Sequence, residues 1–228
     1  MSFQKVTSDL AKLDNPQKGK FLSKFFKTGK GQYAEGDIFL GITVPQQRKV
    51  SKKYKDLPLE EISKLLQSRI HEHRSTALFI LVEKFQQDKK NVFDFYIKHL
   101  DNINNWDLVD SSAYQIMGNY LMDKDRKILY RLAHSDNLWK KRIAIISTYY
   151  FIRYLQFDDT LKIAEILVDD THDLIHKAVG WMLREVGKRD QTAEEEFLKK
   201  YYKTMPRTML RYAIEKFDNE KKKFYMKK

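Results

Sequence analysis

Apolar residues recur at helical spacing along nearly the whole chain, and no stretch alternates long enough to form a strand. The pattern predicts helices at about residues 3–13, 17–27, 45–54, 58–67, 70–87, 89–100, 105–121, 125–135, 137–155, 158–169, 172–188, 193–203 and 206–217. Proline occurs only at Pro16, Pro45, Pro58 and Pro206, each where a helix can begin, because a first turn tolerates the missing N–H. Gly29, Gly31, Gly36 and Gly41 crowd into one segment, leaving the rest of the chain nearly free of breakers. The lysine-rich tail, Asp218 to Lys228, is expected to be frayed.

The helices come in pairs, and the pairs repeat. The second helix of each pair carries an alanine near its start, at Ala77, Ala113, Ala144, Ala178 and Ala213, with spacings of 36, 31, 34 and 35 residues. A period of this length marks an all-α fold, a curved α-solenoid of HEAT-like helix pairs forming a single domain over 1–228. Small residues at these places allow neighbouring helices to approach closely. In such a solenoid the second helices line the concave side, where Arg74, Asp110, Arg142, His176, Lys177 and Arg211 would share one surface. Either these form a basic concave groove suited to a duplex backbone, or they are first-turn residues of amphipathic helices.

Charge favours the groove. The 228 residues carry 43 Lys and Arg against 31 Asp and Glu, a formal net charge of +12, which points to a polyanion or an anionic membrane surface. The alternative is a lysine-rich but inert surface. The absence of cysteine excludes disulfides, thiol catalysis and thiolate metal sites. No apolar run reaches the roughly 18 residues of a membrane span, and the first residues contain no apolar signal core, so a cytoplasmic location is expected.

Trp106 and Asp110 are four apart and share one helix face. If the inner helices stack, Trp106, Asp110, Arg142 and Trp181 could converge at the middle of the groove. That set suits loss of a base from deoxyribose. A carboxylate stabilises the developing oxocarbenium and orients water. Indole faces favour an adjacent cation, by roughly 0.5–2 kcal/mol, and arginine holds phosphate in a forked geometry. The plain alternatives are a helix carboxylate paired with Arg142, and tryptophans that pack a core. Trp139 reads as structural, at a helix start with Asn137 as its cap.

Here the chain resembles the AlkD-like, HEAT-like-repeat family of DNA alkylation repair proteins. The resemblance rests on Phe-Leu-Gly-Ile (39–42), Trp-Asp-Leu-Val-Asp (106–110), Ser-Asp-Asn-Leu-Trp-Lys-Lys-Arg (135–142) and Ala-Val-Gly-Trp-Met-Leu-Arg-Glu (178–185), in order along nearly the whole chain. It implies a glycosylase that excises cationic N3- and N7-alkylpurines from duplex DNA without metal or cofactor, and that need not flip the lesion into a pocket; a monomer is natural for a groove that clasps a duplex. It further implies that Asp110, Trp106 and Trp181 are catalytic and that Arg142 binds phosphate.

Two departures stand out. The family has a tyrosine in the second helix where this chain has Phe25, so the aromatic surface stays but a hydroxyl contact to DNA is lost. The connection 28–37 is longer, and its Lys30, Gln32 and Tyr33 either touch the DNA backbone or form a plain surface loop. The predicted DNA contacts are therefore Arg142, Phe25, Lys30, Tyr33, Arg74, Lys177 and Arg211. His71 and His73 are two apart and diverge on a helix. His172 and His176 share a face but have no third ligand nearby, so no metal site is expected. Two other readings stay open, a non-catalytic DNA-binding damage sensor and a protein-interaction scaffold.

Overall fold

The structure is a computed structural model that describes residues 1–227. Apart from one isolated bridge between Ile38 and Ile70, every regular element among the described residues is helical, so the all-α expectation holds. No described helix is long and apolar enough to cross a membrane. The chain divides into two compact units, Met1–Ser112 and Ala113–Lys228.

The first unit contains α1 (Phe3–Ala11), α2 (Pro16–Phe25), α3 (Val44–Lys53), α4 (Leu59–Leu66), α5 (His71–Phe85), α6 (Lys89–Lys98) and most of α7 (Trp106–Ala113). The prolines start helices as expected. Asn15 caps α2 with Pro16 at its first position, and Thr43 and Gln46 form a capping box on α3 around Pro45. α5 forms the centre, with every residue from His71 to Leu81 buried and with α1, α3, α4 and α6 packed on it.

A helix buried on all sides must satisfy its polar groups internally. Glu72, in the first turn of α5, does so by accepting the backbone N–H groups of Leu40 (3.0 Å), Gly41 (2.8 Å) and Ile42 (3.3 Å). Gly41 has φ +78°, and a Cβ there would lie 2.3 Å from the Asn15 carbonyl oxygen. A Cβ on Gly19 would lie 2.5 Å from the Phe39 carbonyl oxygen. The Phe-Leu-Gly-Ile segment is thus a backbone cradle for the first turn of α2, pinned from below by Glu72.

The second unit opens with a π-helical turn, Tyr114–Gly118. It continues through α8 (Lys127–Ala133), α9 (Leu138–Ser147), α10 (Tyr149–Ile152), α11 (Asp158–Ile166), α12 (Asp173–Gly187), α13 (Gln191–Tyr201), α14 (Arg207–Ala213) and α15 (Asn219–Met226). α12 is central, packed by α9, α11, α13 and α14. The predicted helix 137–155 divides at Thr148, whose hydroxyl donates to the Ile145 carbonyl (2.7 Å), a bond that bends helices. Asn137 caps α9 through the N–H groups of Trp139 and Lys140, as its sequence position suggested.

Ala77, Ala113, Ala144, Ala178 and Ala213 are all fully buried. Two helix glycines in this unit also sit hard against neighbouring backbone. A Cβ on Gly118 would sit 2.2 Å from the Ser147 carbonyl oxygen, and one on Gly180 2.4 Å from that of Met209. Glu194 on α13 is also buried, with no partner for Oε1, and burial pushes its carboxyl up to about 9.

The tail departs from expectation. Asp218 caps α15 by accepting the Lys221 N–H (2.8 Å), and Tyr225 is buried edge-on against Phe217 (5.7 Å). One good cap and one aromatic anchor therefore order a segment that looked frayed from its lysines. Only Lys228 lies outside the described residues.

Candidate functional site

In the first unit, Trp106 begins α7, where the buried side chain of Asn105 accepts its backbone N–H (2.8 Å). Phe26, just past the end of α2, stacks on the half-buried indole with centroids 5.2 Å apart and planes 9° from parallel. Phe25 meets the same indole edge-on (6.2 Å, 71°) and is 55% exposed. Lys27 follows with φ +55°, a left-handed C-terminal turn that sends the chain away behind the two phenylalanines. Asp110 lies one turn beyond Trp106, half-buried on the same helix face.

Behind Trp106 is a charged cluster that sequence reasoning missed. His71, 2% exposed, bonds through Nε2 to Asp107 (2.7 Å) and faces Asp37 through Nδ1 (3.4 Å). Its ring lies on Phe39 (4.5 Å, 21°) and tilts against Phe26 (5.1 Å). Burial opposes protonation, but the Asp107 charge and the bonds to both carboxylates outweigh it and push His71 up to about 9. Asp37 is held below the usual carboxylate range; burial works against this, and His71 and Arg74 overcome it. His73, two residues on, has no carboxylate partner. Burial and the Arg74 charge pull it down to about 4, and its Nδ1 bonds Ser68 Oγ (3.0 Å). One helical turn thus carries a charged and a neutral histidine. The available signal was Asp107 beside the first tryptophan, though nothing local showed that a loop would deliver Asp37.

Arg74 was expected among the DNA-facing cations, and the structure corrects this. It is 3% exposed, with its guanidinium on Asp37 (2.6 Å) and the Ser68 carbonyl (2.8 Å). Its helix is buried all round, so even a first-turn arginine points into protein. In the 28–37 loop, Gln32 is used internally, accepting the Gly29 N–H (2.9 Å), while Lys30 is exposed and Tyr33 half-buried.

In the second unit, Trp181 on α12 is half-buried and tilts against Tyr149 (6.1 Å, 38°), which meets Tyr114 edge-on (5.3 Å, 78°). The two tyrosines were not singled out from sequence, because they lie on different helices and only packing makes them a row. Arg142 is 4% exposed and donates to the Leu174 carbonyl in the first turn of α12. Lys177 pairs with Asp173 (2.6 Å), and Arg211 is exposed on α14. The His172 and His176 pair is used locally. His172 Nδ1 accepts the Leu174 N–H (3.1 Å), and His176 Nε2 bonds the Asp170 carbonyl.

A family model described as DNA alkylation repair enzyme matches residues 6–217. Among solved structures, the chain is similar to a protein of Enterococcus faecalis described as a predicted DNA alkylation repair enzyme. Identity is 18% with a TM-score of 0.69, covering 90% of this chain and 97% of the other. It is also similar to AlkD2 from Streptococcus mutans, at 20% identity and a TM-score of 0.55, covering 90% of this chain and 99% of the other. At these identities the structures establish the shared all-helical fold alone. No curated protein matches. With the family match spanning nearly all of its helices, the chain belongs to the DNA alkylation repair enzyme family.

Proposed function

We propose that this protein is a DNA glycosylase that hydrolyses the N-glycosidic bond of cationic N3- and N7-alkylpurines in duplex DNA. An alkylated purine already carries the positive charge that makes it a good leaving group, so no general acid is needed. As the bond from C1′ to the base nitrogen breaks, its electron pair leaves with the base, which departs neutral. The Asp110 carboxylate stabilises the oxocarbenium left on the sugar and orients a water. The water oxygen bonds C1′ and gives its proton to Asp110, leaving an abasic site.

The observation that supports this reading best is the pairing of a half-buried carboxylate with an indole fixed one turn away by the Phe26 stack. Trp106 and Trp181 are assigned to the cationic substrate through their π-faces, each contributing roughly 0.5–2 kcal/mol. Arg142 is assigned to a phosphate. The Leu174 carbonyl fixes the orientation of its guanidinium. Lys30, Tyr33, Lys177 and Arg211 are assigned to the DNA backbone, and Phe25 to DNA through its aromatic surface. The basic groove expected from the repeat, the monomeric state and the cytoplasmic location belong to the same proposal.

The test is release of 7-methylguanine from methylated duplex. Asp110→Asn is expected to lose about 100-fold or more in release, in the range of a removed electrostatic catalytic group, while keeping its DNA affinity. Unchanged release refutes the assignment. Binding without abasic sites in the unmodified protein would instead identify a damage sensor.

A further inference from the structure

The exposed face of α2 runs on past Phe25 to Phe21, a residue given no role above. Phe21 is 65% exposed and Phe25 55% exposed, one turn apart. Their rings are within 15° of parallel, with centroids 6.4 Å apart. Phe25 is braced from beneath by Phe26 (5.2 Å, 79°) and Trp106, whereas Phe21 projects beyond them. The segment itself carries only positive charge. Between Asn15 and Ala34 the chain has Lys18, Lys20, Lys24, Lys27 and Lys30 and no acidic residue. All five lysines are exposed except Lys18, which is half-buried.

We infer that this ledge binds unpaired nucleotides, with a base stacked on Phe21 and the neighbouring phosphates held by the lysines. Phenylalanine has no donor or acceptor and cannot read a base edge. What it offers is a π-face, and a paired duplex hides its base faces within the stack, while an unpaired strand presents them. Two near-parallel rings one helical turn apart suit bases in series, and the lysines supply the sequence-independent attraction to phosphate. Single exposed apolar residues are ordinary, but adjoining exposed apolar side chains that make one continuous surface mark a binding site. The inference stands on α2 alone and is independent of whether Asp110 is catalytic.

The experiment measures binding of the full chain to labelled oligothymidylate and to a fully paired duplex of equal length, by fluorescence anisotropy at fixed salt. Phe21→Ala is expected to weaken oligothymidylate binding by about 5- to 150-fold, the range of one base–aromatic stack, and duplex binding by less than about 2-fold. Phe21→Tyr is expected to restore it. A strand carrying 2-aminopurine should be quenched by the unmodified protein and not by Phe21→Ala. Phe21 is exposed, so the melting temperature of the alanine variant checks that the fold is kept. The inference is overturned if the unmodified protein does not bind the single strand, or if Phe21→Ala binds it as tightly as before. It is equally overturned if both nucleic acids weaken alike. It also fails if the substitution instead abolishes binding to phosphatidylglycerol-containing vesicles, which makes the ledge a membrane contact, or abolishes self-association, which makes it an interface between copies.

Discussion

Raising the pH should unlock the first unit through one side chain, His71. It is 2% exposed, and two carboxylates push it up to about 9 from an ordinary 6.5. A group whose folded pKa is raised contributes stability that is fully present below the unfolded value and lost as pH climbs through the folded one. The gap between 6.5 and about 9 corresponds to about 3 kcal/mol, present below about pH 6.5 and gone above about pH 9. For a chain of this size 1 kcal/mol moves the melting temperature by about 2–4 °C, so the loss is about 6–12 °C. His71→Gln removes the cation and should melt lower at acidic pH, its deficit shrinking as pH rises.

The assay is calorimetric melting of both proteins across that window, read as the difference between them. Glu194 also titrates there. Burial pushes it up to about 9, so its ionisation removes stability as pH rises from the usual carboxylate range, but it does so in both chains and cancels. Parallel curves for the two proteins would refute the charged-histidine account.

Two further outcomes follow from burial and close approach. Arg74→Ala should destabilise by about 3–5 kcal/mol, because it leaves the Asp37 carboxylate in the interior without its closest cation. Urea denaturation measures this, and the salt dependence of DNA binding should stay unchanged. Gly180→Ala should cost about 1–3 kcal/mol by forcing α12 away from the Met209 carbonyl, read as a lower denaturation midpoint at constant slope.

Most helix positions, the proline starts and the Asn137 cap were legible along the chain, because each depends on residues within a few positions of one another, and the alanines were legible through their near-constant spacing. The shared face of Trp106 and Asp110 was legible for the same reason. Less could be read where partners are distant. Arg74 looked like a surface cation because its local pattern does not reveal that α5 is covered on every side. His71 looked idle because its two carboxylates come from a loop and from another helix. The tail misled because lysine count outweighed one aspartate cap and one tyrosine anchor. Gly118 and Gly180, each against a backbone carbonyl, read as ordinary helix positions, since nothing local tells a weak helix former from a required absence of a side chain.

The Glu72 cradle has a consequence for how this surface can change. α2 is docked by main-chain contacts, through Gly19, Gly41 and three amides held by one carboxylate. Its outward residues take no part in that attachment, so they can vary while the helix stays put. Phe25 is such an outward residue, its ring resting edge-on against Trp106. Divergence of ligand preference among relatives should therefore concentrate on this helix, with the cradle beneath it held constant.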